Sequence, residues 1–100
     1  MRLEKVKEYI NAHMEQQLKI ENLAKIAGMG ASTFRRHFII YYEMPIHQYV
    51  LKCRMEKAME LVINSRFPIK QIASLTGFKN RSAFTHAFTD YFGHSPLYYL

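Results

Sequence analysis

The residues with the most specific chemistry in this 100-residue chain are three arginines, Arg35, Arg36 and Arg81. A guanidinium is a planar, permanently charged fork of donors, so it grips acceptors set side by side, such as guanine O6 and N7 or two phosphate oxygens. Ser32 precedes Arg35 by one helical turn, and Ser82, Thr85 and His86 follow closely on Arg81. Such short polar groups can touch base edges once a larger residue has brought them there. Lys25, Lys70 and Lys79 are point charges suited to phosphate oxygens, and Thr33 and Asn80 add neutral donors beside them. Other chemistries lack their parts. There is no glycine-rich phosphate loop, no nucleophile elbow and no carboxylate pair in an apolar setting, so no catalytic residue is assigned and the chain reads as a non-enzyme. His13, His37, His47, His86 and His94 contain no HxxxH pair, and Cys53 is the only cysteine, so neither a metal site nor any cofactor is expected.

Charge distribution supports a polyanionic partner. Fourteen basic residues against eight acidic ones give a net charge of +6. Residues 22–42 hold Lys25, Arg35 and Arg36 with no carboxylate, and residues 61–89 hold Arg66, Lys70, Lys79 and Arg81, again with none. The basicity therefore sits in two blocks, and a merely solvated surface has no reason to exclude acids from the same two places. Length and an apolar fraction of 49% fit one folded domain with a modest core. The longest apolar run, Phe38 to Tyr42, is far too short to span a bilayer, no export signal opens the chain, and the lone cysteine suits a reducing compartment. A cytoplasmic location without membrane contact is expected.

The elements that must position these residues follow from an internal repeat. At an offset of 49, Ile20 pairs with Ile69, Leu23 with Ile72, Ala24 with Ala73, Gly28 with Gly77 and Met29 with Phe78. After Lys79 the offset becomes 50, pairing Ser32 with Ser82, Phe34 with Phe84, Phe38 with Phe88, Tyr41 with Tyr91 and Tyr42 with Phe92. Two copies are too few for a solenoid, so this is a duplicated supersecondary unit. Each copy reads as helix, tight turn, helix. Ile20, Leu23, Ala24 and Ala27 recur at helical spacing until Gly28 supplies a cheap positive φ, and a second helix runs from about Ala31 to Tyr42. Its apolar positions Phe34, Phe38, Tyr41 and Tyr42 are expected inward, leaving Ser32, Arg35 and Arg36 outside. In the second copy a helix from Ile69 to Thr76 is broken by Gly77, and Asn80 caps a helix with Phe84, Phe88, Tyr91 and Phe92 inward and Arg81, Ser82, Thr85 and His86 outward. The helical period assigns these rings to the cores rather than to base stacking on single strands.

Between the copies, Ile46 to Asn64 contains no Gly or Pro and reads as one long helix started by Pro45. Its nineteen residues span about 28 Å, near the ~34 Å of one DNA turn once side chains are added. Leu3, Val6, Ile10 and Met14 form a further amphipathic helix, and Ser95-Pro96 opens a final short turn through Tyr99. The expected fold class is all-α, about seven helices, homeodomain-like. Residues 1–43 form a first helix-turn-helix subdomain, 44–64 a linker helix and 65–100 a second helix-turn-helix subdomain.

Over essentially its whole length the chain resembles the AraC family of bacterial transcription regulators. The resemblance is carried by Arg54, Ala58, Leu61-Val62, Ile69, Ile72-Ala73, Gly77-Phe78, Ser82, Phe84, Phe88, Phe92-Gly93, Ser95-Pro96 and Tyr99, and in the first half by Leu23-Ala24, Gly28-Met29, Phe34, Arg36, Phe38 and Gln48-Tyr49. It implies a cytoplasmic double-stranded DNA-binding domain that sets two recognition helices in adjacent major grooves and recruits RNA polymerase. Three residues depart from the pattern. Gly30 stands where the family has a serine N-cap, which implies a helix start that frays or takes Ser32 as its cap. Glu43 replaces a glycine after the first recognition helix, and His86 replaces an arginine in the second, which implies a weaker, pH-dependent contact.

The expected function is therefore sequence-specific DNA reading by a domain that is monomeric on its site. Base contacts are assigned to Ser32, Arg35, Arg36, Arg81, Ser82, Thr85 and His86, and phosphate contacts to Lys25, Thr33, Lys70, Lys79 and Asn80. The alternatives are a basic helical protein-interaction module, separable by competition with duplex DNA, and the DNA-reading module of a larger enzyme.

Overall fold

Apolar residues at helical spacing build every element of the fold. The computed structural model describes residues 2–100 as α1 (Arg2–Ala12), α2 (Ile20–Ala27), α3 (Ala31–Tyr42), α4 (Ile46–Asn64), α5 (Ile69–Leu75), α6 (Arg81–Phe92) and a closing 3₁₀ turn (Pro96–Tyr99). No strand occurs among the described residues. The chain divides into two compact units, the first ending at Cys53 and the second beginning at Arg54.

Each unit closes over its own core. In the first, Leu3, Val6 and Ile10 of α1 bury against Leu23, Ala24 and Ala27 of α2 and Phe34 and Phe38 of α3, with Ile46, Tyr49 and Cys53 from the start of α4. In the second, Met55, Ala58 and Val62 from the rest of α4 bury with Ile72 and Ala73 of α5 and Phe84 and Phe88 of α6. The four phenylalanines are all fully buried. Each contributes on the order of 2–3 kcal/mol by leaving water, and tilted ring pairs at 5.8 Å (Phe34–Phe38) and 5.7 Å (Phe84–Phe88) set their packing. Ala24 and Ala73 occupy equivalent midpoints of α2 and α5, where a small side chain lets the second helix of each unit cross closely.

The turns repeat in main-chain detail. The Met29 amide donates to the Ala24 carbonyl at 2.9 Å and Gly28 to Lys25 at 3.0 Å; forty-nine residues on, Phe78 donates to Ala73 at 2.9 Å and Gly77 to Ser74 at 3.2 Å. This paired closure satisfies carbonyls that a helix end would leave orphaned, and it requires the left-handed backbone seen at Gly28 (φ 72°) and Gly77 (φ 87°). The ends of α3 and α6 match too: Glu43 donates its amide to Ile39 and Gly93 to Thr89, both at 2.8 Å. Glu43 thus keeps the turn at φ 58° where its counterpart is a glycine.

Three expectations need correction. Tyr41 and Tyr91 are exposed at 57% and 43% rather than inward. Tilted ring packing at i+4 explains the difference, because the Tyr42 ring centre lies 4.7 Å from that of Phe38 and the Phe92 ring centre 4.7 Å from that of Phe88, so these residues cover the rings and their neighbours are left outside. Ser32 does not cap α3: Gly30 is the N-cap, with extended backbone and no side-chain hydrogen bond, since glycine has no side-chain oxygen to offer. Thr76 follows α5 as its C-cap and is fully buried. Its hydroxyl donates to the Ile72 carbonyl at 2.7 Å, so the polar group is satisfied where the first unit has Ala27.

Candidate nucleic-acid interface

In the first unit the outer face of α3 is set by the burial of Phe34 and Phe38. Each residue of a helix turns by about 100°, so anchoring those rings in the core places Ser32, Arg35 and Arg36 on exposed positions, with Thr33 half-buried beside them. Lys25 is exposed on α2. Among the described residues no carboxylate is paired with Arg35 or Arg36, so both guanidinium forks are open to a ligand.

In the second unit the side chains of Arg81, Ser82, Thr85 and His86 line one open depression along α6, together with Thr89 and Asp90. A neighbouring depression at the α5–α6 turn is lined by Lys70, Ala73, Ser74, Phe78, Lys79, Asn80 and Arg81. Arg81 belongs to both. The first therefore gathers the four residues expected to touch bases and the second gathers Lys70, Lys79 and Asn80, expected to touch phosphates. Asn80 has a local task as well, its Oδ1 accepting from the Ala83 amide at 2.8 Å to cap α6, which leaves its NH₂ group to donate outward.

Sequence reasoning missed Thr89 and Asp90. Asp90 Oδ2 lies 3.3 Å from His86 Nε2, with both side chains well exposed, so the second face is not free of acid. The signal is the i,i+4 spacing of the pair; Asp90 falls one residue beyond the acid-free stretch 61–89. The Thr89 hydroxyl donates to the Thr85 carbonyl at 2.7 Å and is thereby engaged within the helix. Away from these faces, burial pushes the Arg54 guanidinium below its ordinary value, and Cys53 is a buried free thiol. No group of three or more His, Cys, Asp or Glu residues that could hold a metal occurs among the described residues, and none of their helices is long and apolar enough to cross a membrane.

Two helix-turn-helix units, each presenting a polar, cation-bearing face on its second helix, define a tandem helix-turn-helix domain. A family model described as a helix-turn-helix domain matches residues 23–100, and the chain belongs to this family, in its AraC-type branch. The DNA-binding domain of AdpA, a global transcriptional factor solved in complex with a target DNA, is similar at a TM-score of 0.90 and 28% identity over 98% of this chain and 88% of that one. The C-terminal domain of AraT, a response regulator from Geobacillus stearothermophilus, is similar at a TM-score of 0.89 and 28% identity over 97% and 81%. The Msm operon regulatory protein of Streptococcus mutans is 31% identical over 91 residues, which are 91% of this chain and 33% of that protein. The chain spans about a third or less of the length of the curated relatives it matches.

Proposed function

We propose that this domain reads a specific double-stranded DNA site for a bacterial transcription regulator, with α3 and α6 as its recognition helices in successive major-groove segments. The observation that carries the reading is the duplicated helix-turn-helix with exposed arginines on both second helices, in a chain similar over 98% of its length to a domain solved on its target DNA. Ser32, Arg35 and Arg36 serve one half-element and Arg81, Ser82, Thr85 and His86 the other. Arginine forks onto guanine set the strongest preferences, each worth about 1–3 kcal/mol of discrimination. Lys25, Thr33, Lys70, Lys79 and Asn80 hold the phosphates and fix the register. Residues 1–43 and 65–100 act as the two reading subdomains and 44–64 as their linker helix.

The regulator acts in the cytoplasm, without catalysis of its own, and this domain engages its site as a monomer. RNA polymerase is its protein partner on DNA. An activating role is supported by relatives named as activators, among them Btr of Bacillus subtilis and VirF of Yersinia enterocolitica.

Selection from a random duplex pool tests the reading directly. A defined site should emerge, and its affinity should fall with log salt at a slope of roughly −4 to −5, as expected when about 4–6 cations displace counterions. A slope near zero would overturn it.

A further inference from the structure

We propose that Ile39 is a specificity-determining residue that reads a thymine C5-methyl group in the half-element faced by α3, an inference that rests on the DNA-reading function above. Helix-turn-helix readers of the homeodomain kind touch bases from four positions of one helix spaced i, i+3, i+4 and i+7. Starting from Ser32, that spacing falls on Arg35, Arg36 and Ile39, and all four residues are exposed.

The fourth residue is chemically unlike the others. Ile39 is 50% exposed, in line with the polar Ser32, Arg35 and Arg36 and with the exposed Ile40 beside it, and it has no hydrogen-bonding side-chain atom with which to hold a phosphate. Among the groups displayed in the major groove, the thymine methyl is the apolar one. The backbone that carries Ile39 is fixed, because its carbonyl accepts the capping amide of Glu43 at 2.8 Å. The repeat gives a second view of the same position. Thr89 is the counterpart of Ile39, and its hydroxyl proton is already donated to the Thr85 carbonyl, leaving its methyl as the group with no hydrogen-bonding task. The i+7 step thus carries a methyl group in both units, beside a hydroxyl oxygen in Thr89 that can still accept, while the i+3 and i+4 steps differ in size and charge.

The test compares thymine with deoxyuridine, which lacks only the methyl group. Affinity is measured for a duplex selected from a random pool and for versions in which each thymine is replaced singly. At one or two thymines, the ones near positions where Arg36→Ala relaxes base preference, the replacement should weaken binding about four-fold, the worth of one buried methyl-sized group. Ile39→Ala should bind the thymine duplex about four-fold or more less tightly and no longer distinguish thymine from deoxyuridine there. Its melting temperature should stay close to that of the parent, since the position is exposed and alanine favours helix. The proposal is overturned if the parent never distinguishes the two bases, if the discrimination survives in Ile39→Ala, or if the half-element affected by Arg36→Ala contains no thymine. Failure of the parent chain to select any duplex would instead overturn the DNA-reading function, and this proposal with it.

Discussion

Arg36 and Lys70 are both exposed cations, yet they differ in what they can distinguish. The guanidinium of Arg36 is a rigid fork on a reading helix, whereas the Lys70 ammonium is a flexible point charge beside the α5–α6 turn. Arg36→Ala should therefore cost about 1–3 kcal/mol on the selected site and relax one or two base pairs, while Lys70→Ala should weaken all duplexes alike and reduce the salt slope by about one. Equilibrium binding to selected and random duplexes at several salt concentrations checks both, and equal losses on the two kinds of DNA for Arg36→Ala would make it a phosphate contact. At this scale the reading faces are largely legible in sequence, because two phenylalanines one turn apart orient a helix and leave the remaining positions little choice. Asp90 was not legible in the same way. Its effect on the face comes from the carboxylate lying 3.3 Å from His86 Nε2, and a window of net charge does not resolve one side chain reaching back along a helix.

Element boundaries are the most legible feature of the chain, and the reason is chemical punctuation. Gly28, Asn80 and Pro96 each do something to the backbone that other residues do poorly, so α2 ends, and α6 and the closing turn begin, where the spacing places them. What escaped was the contest among aromatic residues at the ends of α3 and α6. Tyr41 lies two turns beyond Phe34 and the pattern alone turns it inward, but the ladder from Phe38 to Tyr42 covers the core and leaves Tyr41 out. Glu43 raises a different point. Its left-handed backbone, φ 58° and ψ 24°, strains a residue with a Cβ by about 1–2 kcal/mol, which is offset only in part by the smaller entropy it loses on folding relative to glycine. Glu43→Gly should stabilise the first unit by about 0.5–1 kcal/mol and raise the melting temperature by roughly 3–6 °C. A thermal unfolding curve decides it, with an unchanged or lower midpoint contradicting the account.

For the whole molecule, the central fact is that one polypeptide carries both reading units and that α4 contributes buried residues to each core, Ile46, Tyr49 and Cys53 to one and Met55, Ala58 and Val62 to the other. Under the proposed function a single chain covers two half-elements about ten base pairs apart, and these need not be palindromic. Inserting about five base pairs between them turns one to the far side of the duplex. Affinity should then drop to that of one engaged unit, as measured by titration of the lengthened duplex; full affinity would mean that only one unit reads DNA. The duplication that underlies this arrangement is legible in sequence because glycines and aromatic residues recur at a nearly constant offset. The two paired turns, Met29 to Ala24 and Phe78 to Ala73, are closed by main-chain groups. Their closure places no demand on the outward residues of the helix that follows, so substitutions there change the message while the frame persists. Ser32, Arg35 and Arg36 can therefore be rewritten separately from Ser82, Thr85 and His86, and a gene copied once within itself becomes a reader whose two words evolve, or are engineered, one at a time.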